Sequence, residues 1–234
     1  HFDGTPETQY IKVVHGLAPS VASIGDRYTL WLKEKLSRKP FPTLDSILDK
    51  IYYTVRFPLA TSYEKNSLEL FEKVHVVSEI DRVYLKNLNP RLDVEAIPNG
   101  VDTGYYKLLG LSSNEPSLVF VAHMVGEQAY NAIWFVRKVF AKIRREIPNL
   151  KLYLVGKDPS HILLTEARKI KGVIATGYVD DVRPYIDKAT LVIDPTRKSG
   201  GILNHVLQAM AMEKTIVGTR SSFLGISGAK PWKN

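Results

Sequence analysis

The sequence predicts an α/β protein built from two Rossmann-like units with parallel sheets, the first of them incomplete. Three observations carry this expectation. From about residue 117 onward, short β-rich runs alternate with helical patterns; strands separated by helices of about ten residues cannot form hairpins, so the connections must be crossovers and the sheet parallel. The same alternation closes the first hundred residues. Between the two runs lies a segment, 101–116, whose Gly, Ser and Asn content is that of an interdomain connector. The expected domains are therefore residues 1–100 and 101–234.

In the first unit, 11–14 reads as a strand and the stretches 28–39 and 43–73 as largely helical, with a break near Pro58. Residues 74–78 form a strand, 79–88 a helix with Ser78 as N-cap, and 93–97 a strand running into Pro98-Asn99-Gly100. Within the long helical stretch, Ile47, Ile51, Val55 and Leu59 recur on one helical face and are expected to enter the core. The alternative for this Tyr-, Leu- and Lys-rich segment is an exposed surface that meets a membrane. In the second unit, 117–124 reads as a strand. The stretch 131–146 is a helix whose Ile133, Trp134, Val136, Val139, Phe140 and Ile143 follow the 3.6-residue period, stopped by Pro148-Asn149. Strands at 151–156, 172–177, 190–194 and 215–218 then alternate with helices at 159–170, 182–188 and 202–212.

Composition sets outer limits. With 234 residues, 44% of them hydrophobic and 24% charged, the chain is an ordinary globular protein, and disorder is excluded as its main state. Its longest apolar runs are far short of the ~20 residues that cross a bilayer, so no transmembrane helix is expected. The chain opens His1-Phe2-Asp3-Gly4 without an initiator Met or a basic-then-apolar leader, which predicts no secretory signal and leaves a non-natural N-terminus open. The absence of cysteine excludes disulfides, thiolate zinc sites and a Cys nucleophile, and fits a cytoplasmic setting. The net charge of +8 is unevenly placed. Residues 1–100 hold 13 Lys and Arg against 13 Asp and Glu, whereas 101–234 hold 19 against 11. An excess confined to one half suits a unit that binds an anion such as a nucleotide phosphate, or else a solvated basic helix face.

The segment richest in chemistry is Asp194-Pro-Thr-Arg-Lys-Ser-Gly-Gly-Ile-Leu-Asn-His-Val-Leu-Gln-Ala-Met-Ala211. A strand ends in a basic, Gly-containing loop that opens into a helix. Free N–H groups at the helix start, reinforced by Arg197 and Lys198, form an anion site there. The spacing is neither that of a Walker loop nor G-x-G-x-x-G. Asn204, His205 and Gln208 are polar positions three and four residues apart, so one helix face presents all three. His15 follows the expected strand 11–14 and would stand at a strand end beside the cleft, where it is the candidate catalytic residue. His1, His75, His123 and His161 show no metal-ligand spacing, and no metal is expected.

Ile97-Pro-Asn-Gly-Val-Asp102, Phe120-Val-Ala-His-Met124, Gly156, Gly177-Tyr-Val-Asp-Asp-Val-Arg-Pro-Tyr185 and the Gly200–Ala211 segment, taken in this order, resemble the retaining GT-B glycosyltransferases of family 4, most of all the bacterial exopolysaccharide type. The resemblance runs over roughly residues 74–228. It implies a GT-B-like fold in which the second unit binds a nucleotide-diphosphate sugar and the first a glycan or lipid-linked acceptor. No metal and no cofactor beyond the donor substrate are implied. Ser199, Gly200 and Gly201 would hold the diphosphate through backbone N–H groups, Tyr178 and Val179 would border the base, and His123 would reach the donor. Gln208 stands where the family has a Glu on the ribose hydroxyls, His205 where it has a Lys near the phosphates, and Glu213 where it has a helix-ending Gly, so that the left-handed cap is expected to be lost. Complete members are expected to run to about 350–400 residues, which makes this chain a fragment or a reduced member.

The functional expectation is a cytoplasmic sugar transferase with peripheral membrane contact, and its alternative a non-catalytic remnant that binds nucleotide or a partner. A nucleotide-sugar epimerase would need acid and base groups that the sequence does not place. Nucleic-acid binding is not expected, because no recognition motif accompanies the basic charge.

Overall fold

The computed structural model describes residues 1–3, 7–25, 29, 32–33, 36, 44–197 and 201–229. Contacts divide the chain into two units. The first comprises His1–Asn99 with residues 201–202 and Leu224–Gly228, and the second the remainder.

The first unit carries a four-stranded sheet, β1 (Phe2–Asp3), β2 (Val21–Ile24), β3 (Lys73–Val76) and β4 (Val94–Ala96), in that order and parallel throughout. Its inner faces bury Ala22, Ile24, Val74, Val76 and Val94 against Ile11, Leu68, Phe71 and Leu85. One sequence expectation is overturned here. Residues 11–14 are not a strand but a single helical turn, α1 (Ile11–Val14), closed by the His15 N–H donating to the Ile11 carbonyl at 2.8 Å. Ile-Lys-Val-Val has strand composition, but in the helical turn only Ile11 is buried while Val13 stays in solvent. The strand is instead β2, in which Ala22 and Ile24 alternate inward. Helix α3 (Glu79–Leu88) crosses from β3 to β4, capped as expected by the Ser78 hydroxyl, which accepts from the Asp81 N–H.

The long helix α2 (Leu44–Ser67) corrects two further expectations. It continues through Pro58 instead of breaking, since a proline ring deletes one intrahelical donor and leaves the bonds before and after it in place. Its stripe of Ile47, Ile51, Val55 and Leu59 is not core: these residues are 48%, 56%, 58% and 65% exposed. The buried side of α2 is its later part, Ala60, Glu64 and Ser67, with the Glu64 carboxylate accepting from the Thr29 N–H and hydroxyl. None of the helices among the described residues is long and apolar enough to cross a membrane.

The second unit holds β5 (Ser117–Val121), β6 (Lys151–Val155), β7 (Val173–Gly177), β8 (Leu191–Asp194) and β9 (Ile216–Gly218), all parallel in the order β7-β6-β5-β8-β9. The chain winds from β5 outward to β7, then returns to the other side of β5 for β8. The reversal makes β5 and β8 a topological switch point, the place where ligands enter folds of this type. Helix α4 (Gly126–Phe135) begins earlier than its periodicity predicts and passes through one π-helical turn, Val136–Phe140, into α5 (Ala141–Glu146). Phe120, Leu152 and Leu154 of the sheet pack against this helical run and α6 (His161–Lys169). On the opposite face, Val119, Val155 and Val192 meet α7 (Arg183–Lys188) and α8 (Asn204–Ala211) through Ile186, Ala209 and Met212. The short helix α9 (Arg220–Phe223) follows β9.

The connector 101–116 is fastened to this unit despite its linker composition. The buried Asp187 accepts from the Leu109 and Leu111 N–H groups, and the Arg183 guanidinium lies 3.7 Å from the Tyr105 ring centroid. The chain is α/β with parallel sheets in both units, as expected.

Two backbone positions test this account. Gly156, at the end of β6, has φ +149°, and a Cβ there would meet the Ala122 carbonyl oxygen at 1.7 Å. Gly156→Ala should therefore lower the stability of the second unit by at least ~2 kcal/mol, read as a drop in the urea midpoint. Glu213 corrects the expectation of a lost cap. It adopts φ +54° itself, with its N–H on the Met210 carbonyl at 2.9 Å and the Lys214 N–H on the Ala209 carbonyl at 3.1 Å. That is the Schellman pairing, made by a residue with a side chain. Glu213→Gly should gain about 0.5–1 kcal/mol by removing the Cβ clash while leaving the helix content unchanged by circular dichroism.

Candidate functional site

Strand β8 ends on Asp194, whose side chain is fully buried. A carboxylate without water must find donors inside the protein, and Asp194 finds two. Oδ1 accepts from the Thr196 N–H at 2.8 Å, an Asx turn that bends the chain out of the strand, and Oδ2 pairs with His205 Nε2 at 2.7 Å. The Asp194 backbone carbonyl accepts from the Ser222 hydroxyl at 3.0 Å and from the Thr219 N–H. Burial by itself would raise the Asp194 carboxyl, but the His205 ring and the Thr196 donors outweigh it, and the group titrates below the usual aspartate range.

The turn is tied to its neighbours. The Thr219 hydroxyl donates to the Thr196 carbonyl, the Ser221 hydroxyl to the Arg197 carbonyl at 2.8 Å, and the Thr196 hydroxyl to Gln128 Oε1 in the first turn of α4 at 3.3 Å. The Arg197 side chain is exposed at the end of this turn, its guanidinium carbon 5.4 Å from the Trp134 ring centroid. His205 is 17% exposed and meets the Phe120 ring edge-on at a centroid distance of 6.0 Å. The C-terminal ends of β5 and β8 and the first turns of α4 and α8 thus come together around one buried carboxylate.

The structure brings Arg197 and His205 to this cluster through Asp194 and its turn. Lys198, Ser199 and Gly200 lie outside the described residues. Gly201 and Ile202 group with the first unit, and helix α8 begins only at Asn204. Asn204 is exposed, and Gln208 is half-buried one turn later, beside the buried Val206 and Ala209. Tyr178 stands 71% exposed just after β7, and Val179 packs against the core. His123, past the end of β5, pairs through Nε2 with Asp158 Oδ2 at 2.9 Å. His15 belongs to the first unit, where it follows a helical turn rather than a strand, and its Nδ1 bonds the Leu70 carbonyl at 2.9 Å.

Sequence reasoning passed over Asp194, Thr196, Gln128, Trp134 and Thr219. The Asp-Pro-Thr run at the end of a strand was a usable signal for the first two, because Asp at such a position commonly bonds the N–H two residues on.

Residues 115–228 match the family model of the glycosyl transferases group 1. That span contains the whole Asp194 cluster. None of the curated proteins matches the sequence. Among solved structures, sucrose-phosphate synthase from Thermosynechococcus elongatus is similar with a TM-score of 0.70 at 16% identity, over 95% of this chain and 56% of that one. WaaG, a glycosyltransferase involved in lipopolysaccharide biosynthesis, has a TM-score of 0.63 at 16% identity, over 89% of this chain and 58% of that one. The pneumococcal O-GlcNAc transferase GtfA, solved with UDP and GlcNAc, has a TM-score of 0.61 at 14% identity, over 93% and 40% respectively. The chain therefore spans about half the length of these neighbours. Their likeness establishes the GT-B fold.

Proposed function

We propose that the protein is a glycosyltransferase that moves a sugar from a nucleotide-diphosphate donor to a glycan or lipid-linked acceptor at the cytoplasmic face of a membrane. The observation that carries this reading is the turn at the end of β8, held by Asp194 and opening into α8 within the segment that matches the glycosyl transferases group 1. In this reading the N–H groups at the start of α8, with Arg197 and Lys198, take up the charge that develops on the departing diphosphate, so that no metal is needed. Tyr178, exposed after β7, borders the base, and Asn204, Gln208 and His123 complete the donor contacts. Gln208 can donate to or accept from a ribose hydroxyl, although it lacks the charge of a carboxylate. The complex of GtfA with UDP supports a nucleotide diphosphate as the donor half. Retention of anomeric configuration rests on the family resemblance.

A lipid-linked acceptor is supported by α2, where Ile47, Leu48, Ile51, Tyr52, Val55 and Leu59 form a continuous exposed apolar stripe. The Arg56 guanidinium lies over the Tyr52 ring at 4.9 Å from its centroid, an amphipathic pair suited to a headgroup layer. If this stripe meets lipid, the protein should float with phospholipid vesicles, and the double substitution Ile51→Glu, Val55→Glu should abolish flotation without changing UDP binding. Flotation unaffected by the charges would remove α2 from the acceptor side.

The donor assignment is tested by replacing Arg197 and Lys198 together with Ala. Charge-assisted contacts are worth ~1.5–3 kcal/mol each, so UDP should bind at least roughly tenfold more weakly by calorimetry, with uridine affected less. Equal UDP affinity would take both residues out of the site.

A further inference from the structure

We propose that the second unit carries a further binding site, for an acidic monosaccharide, in the cavity between α7, the connector and the strands β5 and β6. The site lies away from the donor turn, and the inference does not rest on the donor-site reading above.

The cavity encloses about 310 Å³. Its walls include Ser117 at the start of β5, Tyr153 of β6, Pro184, Tyr185 and Lys188 of α7, and Glu115 of the connector. Ligand cavities commonly measure ~300–1,000 Å³, so this one suits a single substituted ring rather than a nucleotide sugar. Parallel pairing sets Leu118 beside Leu191, and the Thr190 N–H donates to the Ser117 carbonyl at 2.9 Å. Ser117 is thus level with the residue before β8, whereas Asp194 is the last residue of that strand. At ~3.3 Å per residue, Ser117 and the donor turn stand roughly 13 Å apart along β8.

The walls are held by contacts of their own. Asp187 accepts from the Leu109 and Leu111 N–H groups, which ties the connector to α7. The Lys151 ammonium at the start of β6 pairs with the Glu115 carboxylate, and the Glu115 N–H donates to the Ser113 hydroxyl at 3.2 Å. Tyr153 and Tyr185 meet edge-on, with ring centroids 6.0 Å apart.

The chemistry of the lining selects the ligand. Ser117 is buried and the two tyrosines are half-buried, yet among the described residues their three hydroxyls make no hydrogen bond. A hydroxyl both donates and accepts, so the matching ligand does the same. A wholly apolar ring would leave all three unpaired. Beside them the tyrosine rings offer apolar surface. A pyranose meets both demands, since its C–H faces lie on aromatic rings while hydroxyls project from its rim. Charge adds the last requirement. Lys188 is exposed at the mouth and has no ion pair among the described residues, whereas Glu115 is engaged by Lys151 and Asp187 by the connector. Two ammonium groups against one carboxylate leave a positive charge at the opening, which favours a sugar bearing a carboxylate or phosphate over a neutral one.

The test is a saturation-transfer NMR titration of the whole chain with glucuronate, glucose 6-phosphate and glucose, each with and without UDP. At least one acidic sugar should bind with a Kd on the order of 1 mM, more tightly than glucose, and added salt should weaken that binding. Lys188→Ala should lower its affinity about two- to fivefold and bring it level with glucose. Tyr185→Phe, which keeps the ring and loses the hydroxyl, should lower it about two- to tenfold. UDP should leave the acidic sugar bound. Its displacement by UDP would assign it to the donor site and overturn the inference. Equal binding of glucose, unchanged affinity in both variants, or no binding of either acidic sugar would overturn it as well. Failure of UDP to bind would count against the donor-site reading alone, and the two variants would still decide this one.

Discussion

Much of the second unit hangs on a buried carboxylate at the end of a central strand. Asp194 cannot be solvated where it lies, and an unpaired charge at such a position would cost several kcal/mol. The fold meets that constraint by bringing three chain segments to it: the Thr196 N–H from its own turn, the His205 ring from α8, and, at its backbone carbonyl, Thr219 and Ser222 after β9. These segments are separated by up to 28 residues in sequence. Satisfying one group therefore sets the exit angle of β8, the rotation of α8 about its axis and the path of the chain past β9. The turn after β8 is shaped as a by-product of neutralising a charge beneath it.

The surrounding architecture supplies the rigidity this requires. In a sheet parallel throughout, with helices on both faces, the strand ends carry the only backbone groups free to turn outward. The reversal of winding between β5 and β8 opens a gap there, which the first turns of α4 and α8 flank. Gly156 belongs to the same design. The end of β6 approaches the Ala122 carbonyl too closely for any side chain, and this close approach fixes the loops after β5 and β6, where His123 and Asp158 then find each other.

What could be read from the sequence divides along physical lines. Local, period-dependent features were legible: the strands of the second unit came within one or two residues, apart from the overlong 117–124, and the Ser78 cap was placed as observed. Where two local conformations share a composition, the reading failed. Ile-Lys-Val-Val at 11–14 has the residues of a strand and folds as a helical turn, while Val-Ala-Ser-Ile at 21–24, weaker by composition, holds the sheet position. The stripe on α2 shows a different limit. A helical period reveals that one face is apolar but not that the protein itself covers it, and here it does not. Of the candidate site, Arg197 and His205 were visible because they flank a strand-to-helix turn. Asp194 was not singled out, since its role depends on burial and on a partner eleven residues away, neither of which a linear pattern contains.

Three departures from local rules fall on one short helix. At its start, a histidine stands where the resemblance implies a lysine, and at its end Glu213 holds a left-handed conformation that glycine would adopt more cheaply. Within it, Gln208 offers an amide where a carboxylate is implied. Elsewhere in the unit Gly156 and Gly177 sit at positive φ where glycine is favoured, while Asp158, at φ +53°, is a second residue with a side chain in the left-handed region. Local inconsistencies that a fold tolerates are usually kept where function is adjusted. At the start of that helix the histidine ring is held by the buried Asp194 carboxylate, so its place is set by the pair and not by the helix alone, a constraint that a flexible, unpaired lysine would not impose.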